Sequence, residues 1–304
     1  MNILPYIRNP RKLIFLYGLK GHYKFLNDKQ FINLMYWCQF GEKIDWVNPR
    51  TFNEKLQWLK LYNTDPKYQN LVDKAEAKKY VAEIIGEEYV IPTLGIWDNF
   101  EDIDFEKLPN SFVLKTTHDS GGVVVCSDKK TFDISKAKRI LEKSLRHNYY
   151  WACRETLYKD IKPRIIAEQF IGDSLSNSID DYKMLCFNGK FDCVLVCVGR
   201  YSKGGVRFYH FDRNWNFLPY VDYEKIDISS LEKLKPKNFE KMIEVAEALS
   251  RGFPEMRVDL YNVDGRIFFG ELTFFQAGGF DADFTKEARR ILGDKIELPK
   301  RKKE

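Results

Sequence analysis

The sequence is short of the groups that mark several common chemistries. It has only four histidines, His22, His118, His147 and His210, and none stands in the His-Glu-x-x-His spacing that turns two imidazoles toward one zinc ion. No Gly-x-Ser-x-Gly stretch occurs, so the strained elbow that presents a serine nucleophile is missing. No uncharged apolar run approaches the roughly 18 residues of a membrane span. The runs "LIFLYGL" and "CVLVCVG" fall far short, and the chain is expected not to cross a membrane. No signal-peptide pattern opens it. The six cysteines, Cys38, Cys126, Cys153, Cys186, Cys193 and Cys197, sit mostly in apolar, strand-like runs, and Cys193 and Cys197 have no second ligand pair. Core thiols kept reduced in a cytoplasm are the expected reading.

Acid is the other local absence. Residues 1–27 contain no Asp or Glu, yet carry Arg8, Arg11, Lys12, Lys20 and Lys24 among Leu, Ile, Phe and Tyr, and the chain ends in "KRKKE". Such a segment suits either a helix packed on the domain with a solvated basic face or peripheral contact with an anionic membrane. The whole-chain charge of +5 is too small to name a partner, and the aromatic stretch "YYW" at 149–151 reads as packing. No nucleic-acid partner is expected.

What is present describes an ordinary globular chain of 304 residues, 44% apolar and 31% charged, long enough for about two domains. Thr51 and Glu54 are spaced as a capping box before "KLQWLKLY", and residues 29–62 read as a helical lead-in. Residues 73–86 form a further helix closed by Gly86, followed by a short strand in "YVIPTLGIW". "NSFVLKTTHDSGGVVVCSD" reads as strand, glycine loop and strand, and "SKAKRILEKSL" as a helix capped by Ser135. Strands follow in "RIIAEQFI", "DYKMLCFNG" and "KFDCVLVCVG", the last two turning at Asn188-Gly189. Residues 238–251 give a helix, and "MRVDLYNVDGRIFFGELTFF" a closing hairpin. Helices and strands mix without strict alternation, which predicts an α+β chain with mainly antiparallel sheets.

One residue in that hairpin needs a reason. Glu271 stands in a run of Phe, Ile, Leu and Thr, and a buried carboxylate normally has a cation, a hydrogen-bond network or a metal beside it. A three-residue turn at Asn262–Asp264 with Gly265 as a left-handed bulge sets Arg257 opposite Glu271 and Asp259 opposite Phe269. Asp259 and Glu271 are then diagonal neighbours roughly 7–8 Å apart at the backbone. Two such acids, with a substrate's phosphates, are a usual Mg²⁺ arrangement. A two-residue Asp-Gly turn would instead set the acids on opposite faces and favour an Arg257–Glu271 ion pair, so the pattern alone leaves both open. Lys115 at the end of one strand, Gly121 and Gly122 after it, and Lys183 inside another strand supply the cations and close backbone that phosphates require.

Together these segments, from about residue 28 to 290, resemble the TupA-like branch of the ATP-grasp superfamily, found among cell-surface polysaccharide and teichuronopeptide biosynthesis proteins. The resemblance runs through "NPRTFNEKLQWLKLY", "LVDKAEAKKYV", "IPTLGIWDNFEDIDFEKLPNSFVLKTTHDSGG", "RIIAEQFIG", "DYKMLCFNGKF" and the closing hairpin, in the family's order. It implies an ATP-grasp fold: two α+β subdomains gripping ATP, here residues 111–165 and 166–292. A helical region, 1–65, and a segment, 66–110, precede them, and a basic tail, 293–304, follows.

By position, Lys115 resembles the strand lysine that reaches the α-phosphate and adenine, and "HDSGG", with Gly121 and Gly122, the mobile loop that closes over the phosphates. The backbone of Gln169, Phe170 and Ile171 resembles the adenine hinge, with Glu168 accepting from the adenine amino group and Asp173 near the ribose. Lys183 resembles the second phosphate lysine, Asp259 and Glu271 the metal-binding acids, and Arg257 the residue near the transferred phosphate. Thr273 stands where the superfamily usually has Asn, at a metal-binding position where a hydroxyl can still coordinate the metal or orient a metal-bound water, and "QAGGF" replaces its usual Pro-Gly ending. The implied activity is an ATP- and Mg²⁺-dependent carboxylate–amine ligase that forms an acylphosphate and releases ADP and phosphate. Two rivals remain: a glycosyltransferase, prompted by Asp-x-Asp at 102/104 and 281/283, and a non-catalytic nucleotide- or glycan-binding protein.

Overall fold

The computed structural model describes residues 9–119, 121–172, 181–198, 206–222 and 228–301. Three helices lead in. Helix α1 (Pro10–Leu19) starts with Pro10 at its first turn and Asn9 as its cap, and α2 (Asp28–Phe40) is opened by a capping box of Asn27 and Gln30. Helix α3 (Phe52–Tyr62) opens with the expected box, in which Thr51 and Glu54 satisfy each other's backbone N–H. Phe15 of α1 and Phe31, Ile32 and Met35 of α2 pack together with Ala152, Cys153 and Phe280. The lead-in is therefore folded onto two later parts of the chain.

Helix α4 (Ala77–Ile85) begins later than the sequence predicts, because the Asp73 carboxylate caps the N–H groups of Ala75 and Glu76 at 2.8 and 3.1 Å. Gly86, at φ 108°, ends it.

The first sheet is four-stranded and antiparallel, in the order β1 (Thr93–Trp97), β4 (Ile165–Gln169), β2 (Phe112–Thr116), β3 (Val123–Cys126). One face is covered by helix α5 (Ile134–Leu145), whose Ala137 and Leu141 pack with Phe112, Leu114, Ile165 and Ala167. The cap of α5 is Asp133, not Ser135. Its carboxylate lies 2.8 Å from the N–H of Lys136, so Ser135 is already inside the first turn. Alternation along the strands turns Val113, Lys115, Val125 and Glu168 to the other face.

The second sheet has six antiparallel strands, in the order β10 (Arg266–Thr273), β9 (Glu255–Val263), β5 (Asp181–Phe187), β6 (Lys190–Val198), β7 (Arg207–Phe211), β8 (Phe217–Leu218). Helix α6 (Phe239–Leu249) lays its predicted stripe, Met242, Ile243, Ala246 and Leu249, into the core with Met184, Val258 and Leu260. The opposite face carries Lys183, Arg257 and Asp259. Strands β7 and β8 and helix α7 (Lys286–Lys295) are additions to the sequence reading. Helix α7 lies so close to the start of α3 that a Cβ on Gly293 would run into the carbonyl of Arg50.

The closing hairpin departs from expectation twice. Asp264 and Gly265 both take positive φ, 53° and 93°, which makes a two-residue turn pairing Arg266 with Val263. That register alone would send Asp259 and Glu271 to opposite faces. A bulge at Gly270, between Phe269 and Glu271, shifts the strand by one residue, so Glu271 pairs directly with Asp259 and Thr273 with Arg257. Gly270 has little alternative, since a Cβ there would lie 3.0 Å from the Asp259 carbonyl oxygen.

Candidate active site

The polar faces of the two sheets enclose a cleft of about 440 Å³. Of the residues singled out in the sequence, Lys115, Gly121, Glu168, Gln169, Phe170, Ile171, Lys183, Asp259 and Glu271 line it. Arg257 and Thr273 stand behind the acids, off the wall, and Asp173 lies outside the described residues. Lys74 and Asp181 also line the cleft, and Lys78 reaches it from α4 through Glu168.

At the first sheet, Glu168 is buried between two lysines. Lys115 Nζ lies 2.6 Å from Oε2 and Lys78 Nζ 2.6 Å from Oε1. Burial works against both charged forms, but the Glu168 charge outweighs it at Lys115 and holds that ammonium above its usual range. At Lys78 burial wins and the pKa falls. Glu168 itself is held below the carboxylate range, because the two cations outweigh its own burial. The Gln169 N–H is already given to the Pro92 carbonyl at 3.0 Å, so that donor is not free for a base.

At the second sheet, the Asp259 carboxylate accepts from Arg257 Nε at 2.6 Å and from a terminal Arg257 nitrogen at 2.8 Å, and is paired with Lys183. Lys183 also meets Asp181 at 2.8 Å. Burial opposes the Asp259 charge, yet Arg257 and Lys183 overcome it and hold the pKa low. Arg257 reaches on to Thr273 Oγ1 at 3.0 Å and Glu271 Oε1 at 3.4 Å. The salt bridge and the paired acids, alternatives in the sequence, coexist. Among the described residues, three carboxylates, Asp181, Asp259 and Glu271, gather around two cations, Lys183 and Arg257, so acids outnumber cations here.

The described residues contain no cluster of three or more His, Cys, Asp or Glu side chains able to hold a metal alone. Paired Asp259 and Glu271 nevertheless suit Mg²⁺, which is commonly held by two carboxylates together with substrate phosphates and water. Glu271, with its side chain 37% exposed, is the accessible member of the pair.

The glycine loop after β2 is rooted more firmly than its composition suggests. The Asp119 carboxylate accepts from the Thr116 and Ser144 hydroxyls and from the Gly122 N–H at 3.3 Å, while Lys74 holds the Asp119 carbonyl. A Cβ on Gly122 would collide with the Thr116 hydroxyl, so this glycine serves packing, and Gly121 is the one on the cleft wall. His118 is buried: its Nε2 donates to the carbonyls of Ser144 and His147 at 3.2 and 3.0 Å.

The "QAGGF" loop after β10 is fixed by the lead-in. Ala277, Gly278 and Gly279 all take left-handed φ, 48°, 62° and 71°. Asn53 donates to the carbonyls of Gly279 and Asp281, and buried Lys60 to those of Gly278 and Cys153. Burial lowers the Lys60 pKa to about 8 and raises that of nearby Glu155 to about 7. The Asp-x-Asp pairs serve local turns: Asp104 caps the turn at 105–107, and Asp281 accepts from the Asp283 N–H. All six cysteines are free and buried, as expected.

Lys74, Lys78 and Asp181 were missed because a lysine on an amphipathic helix reads as a solvated charge and an Asp at a strand edge as a turn residue. Their signal lay in "DKAEAK" and "DYK", where the acids and lysines alternate with apolar positions.

A scan against protein families matches residues 54–297 to the family described as TupA-like ATPgrasp. No curated protein matches the chain. Among solved structures, the chain is similar to D-alanine–D-alanine ligase from Bacillus anthracis complexed with ATP, at 17% identity and TM-score 0.38, over 67% of this chain and 54% of that one. It is also similar to the ATP-grasp ligase PsnB with minimal precursor, Mg and ADP, at 13% identity and TM-score 0.38, over 73% and 57%. A third is the RimK domain protein ATP-grasp from Sphaerobacter thermophilus DSM 20745, at 13% identity and TM-score 0.37, over 77% and 70%. The chain thus spans little more than half the length of the first two. These likenesses are distant, and the assignment rests on the family match, which covers most of the chain and takes in both sheets of the cleft: the chain belongs to the TupA-like ATP-grasp family.

Proposed function

We propose that the protein is an ATP-dependent carboxylate–amine ligase working through an acylphosphate and releasing ADP and phosphate. The observation that carries this reading is the charge pattern of the cleft, with two lysines gathered on Glu168 at one sheet and the directly paired acids Asp259 and Glu271 on the other. Lys115 and Lys183 would receive the triphosphate, the Phe170 and Ile171 backbone the adenine edge, and Gly121 would let the backbone approach phosphate closely. Gly122 keeps the root of that loop in shape, and Asp173, by resemblance only, would meet the ribose. Asp259 and Glu271 would hold Mg²⁺, with the Thr273 hydroxyl orienting Arg257 or a metal-bound water. Bound there, Mg²⁺ would neutralise charge on the terminal phosphates.

Phosphoryl transfer depends mainly on positioning and charge neutralisation, so it requires no protein nucleophile. A substrate carboxylate attacks the γ-phosphorus and ADP leaves. An amine then attacks the acyl carbon, phosphate leaves, and the amine gives up its proton. Arg257, held by Asp259, Glu271 and Thr273, would by resemblance act near the transferred phosphate.

The finer setting is part of the same proposal. By resemblance, the substrates are a uronic or amino-acid carboxylate and an amine in cell-surface polysaccharide or teichuronopeptide biosynthesis. A cytoplasmic protein touching the membrane's inner face is supported by Lys12, Lys20 and Lys24 beside exposed Leu13, Tyr17 and Phe25. Salt-independent binding, or none, to vesicles containing anionic lipid would remove that part. The central test is product analysis with ATP, Mg²⁺ and panels of uronic acids, amino acids and amines, with hydroxylamine as trap. ADP, phosphate and a hydroxamate are the expected products; AMP and pyrophosphate would overturn the mechanism.

A further inference from the structure

Lys78 sits on α4, outside both sheets, yet its ammonium group is almost wholly enclosed. It donates to the Ile91 carbonyl at 2.7 Å and to Thr93 Oγ1 at 3.1 Å, and it meets Glu168 Oε1 at 2.6 Å. Thr93 is the residue paired with Glu168 across β1 and β4. Lys78 therefore binds three groups that converge on the hinge strand, and Lys115 approaches the same carboxylate from β2 at the other oxygen, again 2.6 Å away. Side-chain exposure is 11% for Lys78, 13% for Lys115 and 5% for Glu168, so water contributes little to holding this geometry.

The consequence lies in what the carboxylate can still do. An ionised carboxylate has about four lone-pair directions and no proton to give. With one lysine beside each oxygen the carboxylate keeps spare acceptor capacity, and Glu168 lines the cleft. A group so held accepts from an exocyclic amine and repels a carbonyl oxygen at the same place. Leaving a buried acceptor opposite another acceptor is among the most effective ways to reject a ligand.

Resting on the ATP reading above, we propose that Lys78 is a positioning residue for base selection: by clamping Glu168 against Lys115 it keeps an acceptor-only group at the hinge, which admits 6-amino purines and excludes 6-oxo purines. ATP fits this rule, while GTP and ITP do not. ITP is the cleaner probe, because it differs from ATP only around the 6-position and lacks the 2-amino group of guanine.

Dissociation constants for ATP, GTP and ITP, each with Mg²⁺, are measured by calorimetry for the wild type, K78M, K78R and E168Q. The wild type is expected to prefer ATP over ITP by about a hundred-fold or more. K78M should lose about ten-fold of that preference, because the carboxylate is then free to turn or protonate. K78R should keep most of it. E168Q, whose amide can donate to a 6-oxo group, should bring ITP and ATP closest together. The readout is a ratio of affinities within one variant, so a general loss of stability does not move it. Wild-type discrimination that survives in K78M overturns the role of Lys78, as does a wild type that binds ATP and ITP equally. A wild type that binds none of the three overturns the ATP reading itself.

Discussion

The two ends of the cleft solve one problem in two ways. Each holds a buried carboxylate between two cations, Glu168 between Lys78 and Lys115, and Asp259 between Arg257 and Lys183. The Glu168 cluster recruits its cations from a helix and a neighbouring strand, and ends with one more positive charge than negative. The Asp259 cluster is built almost entirely within one sheet and is joined by Asp181 and Glu271, so among the described residues its acids outnumber its cations. The first arrangement suits a triphosphate, whereas the second suits a divalent cation. The excess, set by the neighbours, is what distinguishes the two ends; the buried acid itself is common to both.

The largest expected effect comes from removing the acid at the negative end. Asp259→Asn leaves Arg257 and Lys183 buried without a shared counter-charge and should cost about 3–5 kcal/mol of stability, besides lowering turnover to background. Urea unfolding and ATP turnover read the two effects separately. Glu271→Gln should separate what Asp259→Asn combines. Its half-exposed side chain predicts a stability change under about 1 kcal/mol, while turnover falls by about a hundred-fold or more and ATP affinity changes far less. If Glu271→Gln kept full activity, the paired-acid reading would fail.

Lys115→Met tests the positive end and should weaken ATP binding by about ten-fold or more in a folded protein, since charge-assisted bonds to phosphate are among the stronger polar contacts. Unchanged affinity would remove Lys115 from the nucleotide site.

A separate effect comes from a buried group with no counter-charge among the described residues. His210 shares a row across the sheet with Leu195, Lys183, Asp259 and Glu271, but it lies under Tyr220 and Phe284, and among the described residues neither ring nitrogen has a partner. Burial alone lowers its pKa to about 4. The unfolded chain therefore takes up a proton near pH 6.5 that the folded chain refuses until about pH 4, so stability falls as pH drops through that window. Glu168 and Asp259 behave differently: their depressed pKa values give stability that persists until pH falls below the ordinary carboxylate range near 4. His210→Phe should flatten the melting-temperature profile between pH 6.5 and 4 and leave the steeper loss below it. A profile unchanged from the wild type would show that His210 is solvated.

Local chemistry was legible where it was self-contained. The Thr51–Glu54 box, the Asn188-Gly189 turn and the stripe of α6 each depend on residues within a few positions of one another, and each stands where the sequence reading put it. Lys115 and Lys183 were found because a lysine inside an apolar strand is conspicuous. Lys78 was not, because on a helix the same residue is ordinary until the hinge strand is folded beside it. Strand β7, "RFYHF", lacks clean alternation, and α7 is dominated by charge, so neither gave a strong periodic signal.

The closing hairpin divides the two kinds of information most clearly. The sequence by itself determined that Arg257, Asp259 and Glu271 lie on the two strands of one hairpin, and that an acid in such a run needs partners. It did not determine which face they share. The two-residue turn would have separated the acids, and the bulge at Gly270 reunites them as a direct pair. At the bulge, a Cβ on Gly270 would sit tightly, 3.0 Å from the Asp259 carbonyl oxygen, a contact that exists only once the two strands are paired. Register is a property of two strands together, so tertiary structure decided it. The same holds for Glu168, whose identity is written at one position while its charge state is set by lysines 90 and 53 residues earlier in the chain.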